Sequence, residues 1–184
     1  MPILSYNAGW MLWNIWLAVL PVCFIRLSLL TKNKLFRFVM LVLWFVYLPN
    51  TIYIVTDLLH LLQQWHQLTG WEEIILFVQY IILEICGFAT FFLAVRPFEK
   101  ILREFHLQKW ETASIIVLNF LVGFAMVLGR VDRVNSWEIL INPYHFFSSS
   151  MHVAMSLPLV GLAILFGLFA NVVYFLLKDL SLSS

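Results

Sequence analysis

Five mainly apolar stretches run along the chain, at 9–30, 35–48, 71–95, 111–128 and 153–177. A helix needs about 20 such residues, at 1.5 Å rise, to cross roughly 30 Å of hydrocarbon. Four of the stretches reach or approach that length, and the pattern predicts five transmembrane helices. The first opens on Trp10, Trp13 and Trp16, an aromatic belt of the kind found at a lipid–water interface. The second is short, and Pro49 is expected to close it. Proline cannot donate to the helix ladder and biases Leu48 away from helical geometry. The residues beyond it, 51–62, are again apolar but broken by Asp57 and His60. They read either as a kinked continuation or as a half-inserted interfacial segment.

Arg96-Pro97 is expected to end the third helix. In 98–110, Phe98, Ile101, Leu102 and Phe105 recur at helical spacing with Lys100, Arg103 and Lys109 among them, which predicts an amphipathic interfacial helix.

Composition supports a lipid-embedded body. The 184 residues are 62% hydrophobic and only 11% charged, against about 25% charged in soluble domains, and mean hydropathy is +0.92. The expected fold class is therefore all-α, a polytopic membrane bundle forming one domain over 1–184. No internal repeat or Gly/Ser linker divides it. A net charge of +1 argues against nucleic acid, which calls for a dense basic patch. Cys23 and Cys86 fall inside apolar runs and read as small hydrophobes. The first ten residues carry neither a basic n-region nor a cleavage pattern, so the first run reads as a retained span.

The charges sort by connection. Arg26, Lys32, Lys34, Arg37, Arg96, Lys100, Arg103, Lys109 and Lys178 fall on one side of the five-span arrangement, and only Arg130 and Arg133 on the other. The positive-inside rule then puts the N-terminus outside and the C-terminus in the cytoplasm. Both polar segments richest in chemistry, 48–61 and 129–140, share the outward side.

In the first of these, Tyr53, Asp57 and His60 are spaced to share a helical face. A carboxylate beside an imidazole can orient the ring or act as an acid–base pair; the same stripe can simply wet an interfacial helix. In the second, Arg130, Arg133 and Trp137 fall at i, i+3 and i+7, one helical face, with Asn135 and Ser136 resembling a turn or cap. Two guanidinium groups suit a carboxylate or phosphate, so they could pair with Asp57 or bind an anionic ligand or lipid headgroup.

The segments LPNTIYIVTDLLH and GRVDRVNSWE resemble the two signatures of a bacterial and cyanobacterial membrane family, domain of unknown function 1361. The matching positions are Leu48, Pro49, Asn50, Tyr53, Thr56, Asp57 and His60, then Gly129, Arg130, Arg133, Asn135, Ser136, Trp137 and Glu138. Glu138 stands where that pattern more often has Asp. The resemblance implies a bacterial plasma membrane or a thylakoid as location and supplies no activity, substrate or cofactor.

Glu84 falls in the middle of the third helix. A carboxyl at that depth is costly and a candidate functional group, either a proton carrier or an interhelical hydrogen-bond partner for Asn119 or Asn14. His60, His66, His145 and His152 match no compact ligand motif, so no metal or cofactor is expected. Ser148, Ser149 and Ser150 read as a polar loop. Ala163 and Gly167 form a small-xxx-small pair suited to close helix contact.

These readings converge on an outward polar site of Asp57, His60, Arg130 and Arg133, supported by Asn50, Tyr53, Asn135 and Trp137. It would bind an anionic lipid headgroup or small acid. The alternatives are an accessory subunit that docks a larger membrane complex, a membrane enzyme using Asp57 and His60 on a lipid-linked substrate, and a transporter using Glu84. Catalysis is not the leading expectation.

Overall fold

The computed structural model describes residues 2–135 and 137–183 as an all-helical bundle. Its elements are α1 (Pro2–Leu30), α2 (Lys34–Tyr47), α3 (Pro49–Tyr53), α4 (Leu58–Trp65), α5 (Trp71–Glu104), α6 (Glu111–Val127), α7 (Glu138–Ile141), α8 (Pro143–Met155) and α9 (Leu157–Ser183). Among the described residues no strand occurs, and five helical stretches are long and apolar enough to cross a membrane. One is composite: α2, α3, a 3-10 turn at Ile54–Asp57 and α4 follow one another as Lys34–Trp65.

Pro49 does not turn the chain aside. Leu48 keeps helical angles, φ −53° and ψ −41°, and its amide still donates to the Trp44 carbonyl at 2.9 Å. Pro49 starts α3 at a position where the missing N–H would have lacked a partner anyway. The Leu48 carbonyl takes the Thr51 amide at 3.1 Å and hydroxyl at 2.8 Å, while the Asn50 amide caps the Tyr47 carbonyl at 2.9 Å. With those carbonyls satisfied, 51–62 is the kinked continuation rather than a separate inserted segment.

Pro97 likewise fails to end its helix, and 98–110 is not a separate amphipathic helix. α5 runs on to Glu104 because the residues past the proline pack inward: Ile101 and Leu102 are buried, and Glu99 is tied to α9. The stop comes at His106, in the left-handed region with φ 59°. The Leu107 amide reaches back to the Leu102 carbonyl at 2.8 Å and the His106 amide to Arg103 at 3.0 Å. That is a Schellman ending with histidine in the place usually taken by glycine.

The last long helix begins at Leu157, not near 153. Ser156 is extended, φ −97° and ψ 105°, and separates α8 from α9. Ser148, Ser149 and Ser150 lie inside α8 rather than in a loop; Ser149 is buried and the Ser150 hydroxyl donates to the Phe146 carbonyl at 2.7 Å.

α1 packs against both α2 and α5, and α6 pairs most extensively with α9. Glycine makes the second pairing close. A Cβ on Gly123 would stand 2.4 Å from the Gly167 nitrogen and 2.6 Å from the Ala163 carbonyl. Ala163 and Gly167 are thus spent within the bundle. The Asn119 side-chain amide joins the same two helices by donating a hydrogen bond of 3.0 Å to Asn171 Oδ1.

Charge segregates between the two ends. At the basic end, Glu99 accepts from Tyr174 at 2.5 Å and Lys178 at 2.7 Å, Arg103 pairs with Glu111 at 2.8 Å, and Arg37 pairs with Glu104. The opposite end holds both polar signature segments and the tryptophans of α1.

Candidate functional site

The two signature segments meet at that opposite end because α3 crosses α1, α5 and α6. They enclose a cavity of about 220 Å³ lined by Trp13, Asn14, Leu17, Pro49, Asn50, Tyr53, Ala125, Gly129, Val134, Asn135 and Trp137. Gly129 makes the approach possible: a Cβ there would stand 2.9 Å from the Tyr53 ring. Trp137 is held by stacking on Tyr47, with ring centroids 5.5 Å apart and planes at 23°.

Tyr53, Asp57 and His60 do not share one face. Ile54–Asp57 is wound as a 3-10 turn, which advances roughly 120° per residue instead of about 100°. Over four residues the excess is nearly a quarter turn. Tyr53 therefore faces the cavity above, while Asp57 and His60 line a second one of about 180 Å³ with Tyr6, Trp10 and Gln64. Asn14 stands between them. It lines the first cavity and its amide donates to Asp57 Oδ2 at 2.9 Å.

Arg130, Arg133 and Trp137 do not form a helical face either. α6 widens into a π turn at Leu128–Asp132, and Arg133 ends it in the left-handed region, φ 55°. The Val134 amide closes the turn on the Leu128 carbonyl at 3.3 Å. Arg130 consequently lines a third, apolar cleft of about 530 Å³ between the Val55–Leu59 stretch and α9, against Leu162, Leu165, Phe166 and Phe169. Arg133 is exposed and lines none of these three cavities. Among the described residues neither arginine makes an ion pair within 4.0 Å of Asp57. Asp57 is 5% exposed and within electrostatic reach of His60 and Arg130.

The expected set is thus divided. Asn50, Tyr53, Asn135 and Trp137 share one cavity, Asp57 and His60 another, and Arg130 a third. Ser136 lies outside the described residues. Sequence reasoning missed Trp13 and Asn14 as lining groups, and also Asn7 and Gln64, whose amides exchange hydrogen bonds of 2.6 and 3.2 Å below Trp10. An asparagine inside the apolar run 9–30, as Asn14 is, was the available signal.

Glu84 does not bond Asn119 or Asn14. Asn119 is engaged by Asn171 and Asn14 by Asp57, and both Glu84 oxygens are buried without a hydrogen-bond partner among the described residues. Glu84 lies within electrostatic reach of Asp57.

The loop after α6 is pinned by two acids. Glu138 accepts from the Asn135 amide at 2.9 Å and meets His145 Nδ1 at 3.0 Å. Those contacts, the Asn135 amide foremost, hold the Glu138 carboxyl below its usual range. Asp132 meets His152 Nδ1 at 3.1 Å. His145 and His152 are thus engaged by carboxylates of the same region, and among the described residues no group of three or more His, Cys, Asp or Glu is placed to hold a metal ion.

Comparison with curated proteins and with solved structures found no match. A family model described as "Protein of unknown function (DUF1361)" matches residues 13–173, which include both cavity-forming segments and the long helices between them. The chain belongs to the DUF1361 family of proteins of unknown function.

Proposed function

We propose that this membrane protein binds an amphiphile from the bilayer, seating its headgroup between the two signature segments. One observation carries the reading: the polar cavity adjoins an apolar one. The headgroup cavity shares Pro49 and Ala125 with a hollow of about 420 Å³ bounded by Val46, Leu121, Phe124 and Phe146. A ligand that fills both has a polar and a hydrocarbon part, which describes a lipid. With the basic end taken as cytoplasmic, the site faces outward.

An anionic headgroup, as the arginines suggested, has support only at Arg130, whose cleft lies apart from this cavity. Docking to a larger complex through Ala163 and Gly167 has none, since Gly123 packs against both. Acid–base chemistry by Asp57 and His60 is favoured by their common cavity, although among the described residues no hydrogen bond joins them.

A ligand that binds the folded state alone raises stability by mass action. Returning a membrane-lipid extract to delipidated protein should therefore raise its melting temperature. Asn135→Trp, which plugs the cavity from its exposed rim, should abolish most of that rise. An equal rise in both proteins would place lipid elsewhere and overturn the reading.

A further inference from the structure

We infer that the headgroup is uncharged and polyhydroxylated, that of a glycolipid, with an acyl chain laid along the groove between α2 and α6. This rests on the amphiphile reading above and names its ligand class.

The lining chemistry points to hydroxyl groups. Asn14, Asn50 and Asn135 bring amides, Tyr53 a hydroxyl, and Trp13 and Trp137 indoles. Among the described residues that line the cavity, none is Asp, Glu, Lys, Arg or His. Amides donate and accept at once, and so do sugar hydroxyls, so each can satisfy the other in either sense. The indole faces offer apolar surface with an N–H at the edge, which suits the C–H face of a sugar ring.

Charge argues the same way. A phosphodiester in this cavity would meet no cation among the described lining residues, so nothing there offsets the water it gives up. The guanidinium of Arg130 lines a different cleft. A fatty acid meets the same objection. A diacylglycerol does not, but Asn14 and Asn50 each spend one N–H on Asp57 and Tyr47, and a single hydroxyl meets few of the amide groups that remain along the lining.

Size and continuity complete the case. About 220 Å³ is the bulk of roughly seven waters at about 30 Å³ each, room for one sugar ring. The adjoining 420 Å³ hollow shares Phe45 and Leu121 with a further open groove of about 750 Å³ that runs past Trp44 and Phe98 to Trp110. The apolar track so reaches from the headgroup cavity toward the basic end, along the direction an acyl chain takes in a leaflet.

The test uses the full chain in phosphatidylcholine nanodiscs, free of sugar-based detergent. Monoglucosyl diacylglycerol, diacylglycerol and phosphatidylglycerol of matched chains are titrated, and bound lipid is read by native mass spectrometry. The glucolipid should be retained at least tenfold more tightly than the other two. Asn135→Ala should reduce its retention about tenfold while the melting temperature of the lipid-free protein stays unchanged. Phosphatidylglycerol binding as tightly as the glucolipid would overturn the sugar assignment and leave the amphiphile reading intact. Retention of none of the three would remove both. Glucolipid retained equally by wild type, Asn135→Ala and Trp137→Ala would place the sugar outside this cavity and overturn the assignment.

Discussion

Tyr53 and Asp57 are four residues apart, yet they face different cavities because the four residues Ile54–Asp57 wind more tightly than an α-helix. Nothing in the letters Ile-Val-Thr-Asp announces that winding, so the chemistry of this segment was readable from the sequence and its direction was not. Arg133 shows the same limit. Its spacing from Arg130 suggested a shared face, but the chain there is a π turn and Arg133 itself is left-handed. Glu138 supplies the clearest consequence at this scale. Its carboxyl is held below the usual glutamate range, about 4.3, by the Asn135 amide and then by His145. Depressed in the folded state, it adds stability that is fully present above that range and lost as pH falls through its folded value. The Asn135 amide should stay protected from hydrogen exchange from neutral pH down to about pH 5, and lose protection only in stronger acid. Glu138→Gln should weaken that protection at neutral pH by about fivefold, the equivalent of about 1 kcal/mol. Protection that fades between pH 8 and 6 would contradict the assignment to Glu138.

At the scale of elements, two prolines that looked like stops are both passed. Pro49 stands at the first position of α3, where its missing donor costs little, and Pro97 stands inside α5, where it removes the bond to the Leu93 carbonyl. The sequence carried the local penalty but not what outweighs it. Glu99, two residues beyond Pro97, is bound to Tyr174 and Lys178 some eighty positions away. Such distant pairs leave no trace in local spacing. Hydropathy, by contrast, marks long helices directly, since each must be apolar over many turns. If packing already holds α5 straight through Pro97, then Pro97→Ala should restore a backbone bond and raise stability, by up to about 3 kcal/mol, in reversible unfolding from mild detergent. A loss of stability would mean that the packing depends on the bend proline imposes.

For the whole molecule, the bundle combines a pinned basic end, a tightly joined α6–α9 pair and a polar end where two signature segments converge. The pair has no slack. Gly123 meets the backbone of Gly167 and Ala163 so closely that even a methyl group collides. Gly123→Val should therefore destabilise by at least about 1–3 kcal/mol, the usual cost of overpacking, seen as a lower melting temperature in detergent. An unchanged melting point would mean that the two helices can separate freely. The nine basic residues placed on one side by sequence include Arg37, Arg96, Arg103 and Lys178, whose side chains form hydrogen bonds at the basic end. That both signature segments share the end opposite those cations was legible from the five-span pattern and its charges; their division among three cavities required the packing of α3 against α1 and α6. We propose Pro49, Asn50 and Tyr53 on one side and Val134, Asn135 and Trp137 on the other as the walls of one lipid-headgroup site. A cryo-electron microscopy map of the protein in nanodiscs made from its native membrane lipids is the decisive measurement. Headgroup density is expected between Asn50, Tyr53, Asn135 and Trp137, with a chain running past Phe45 and Leu121. A cavity empty of lipid, with ordered headgroups only at the Arg130 cleft, would contradict it.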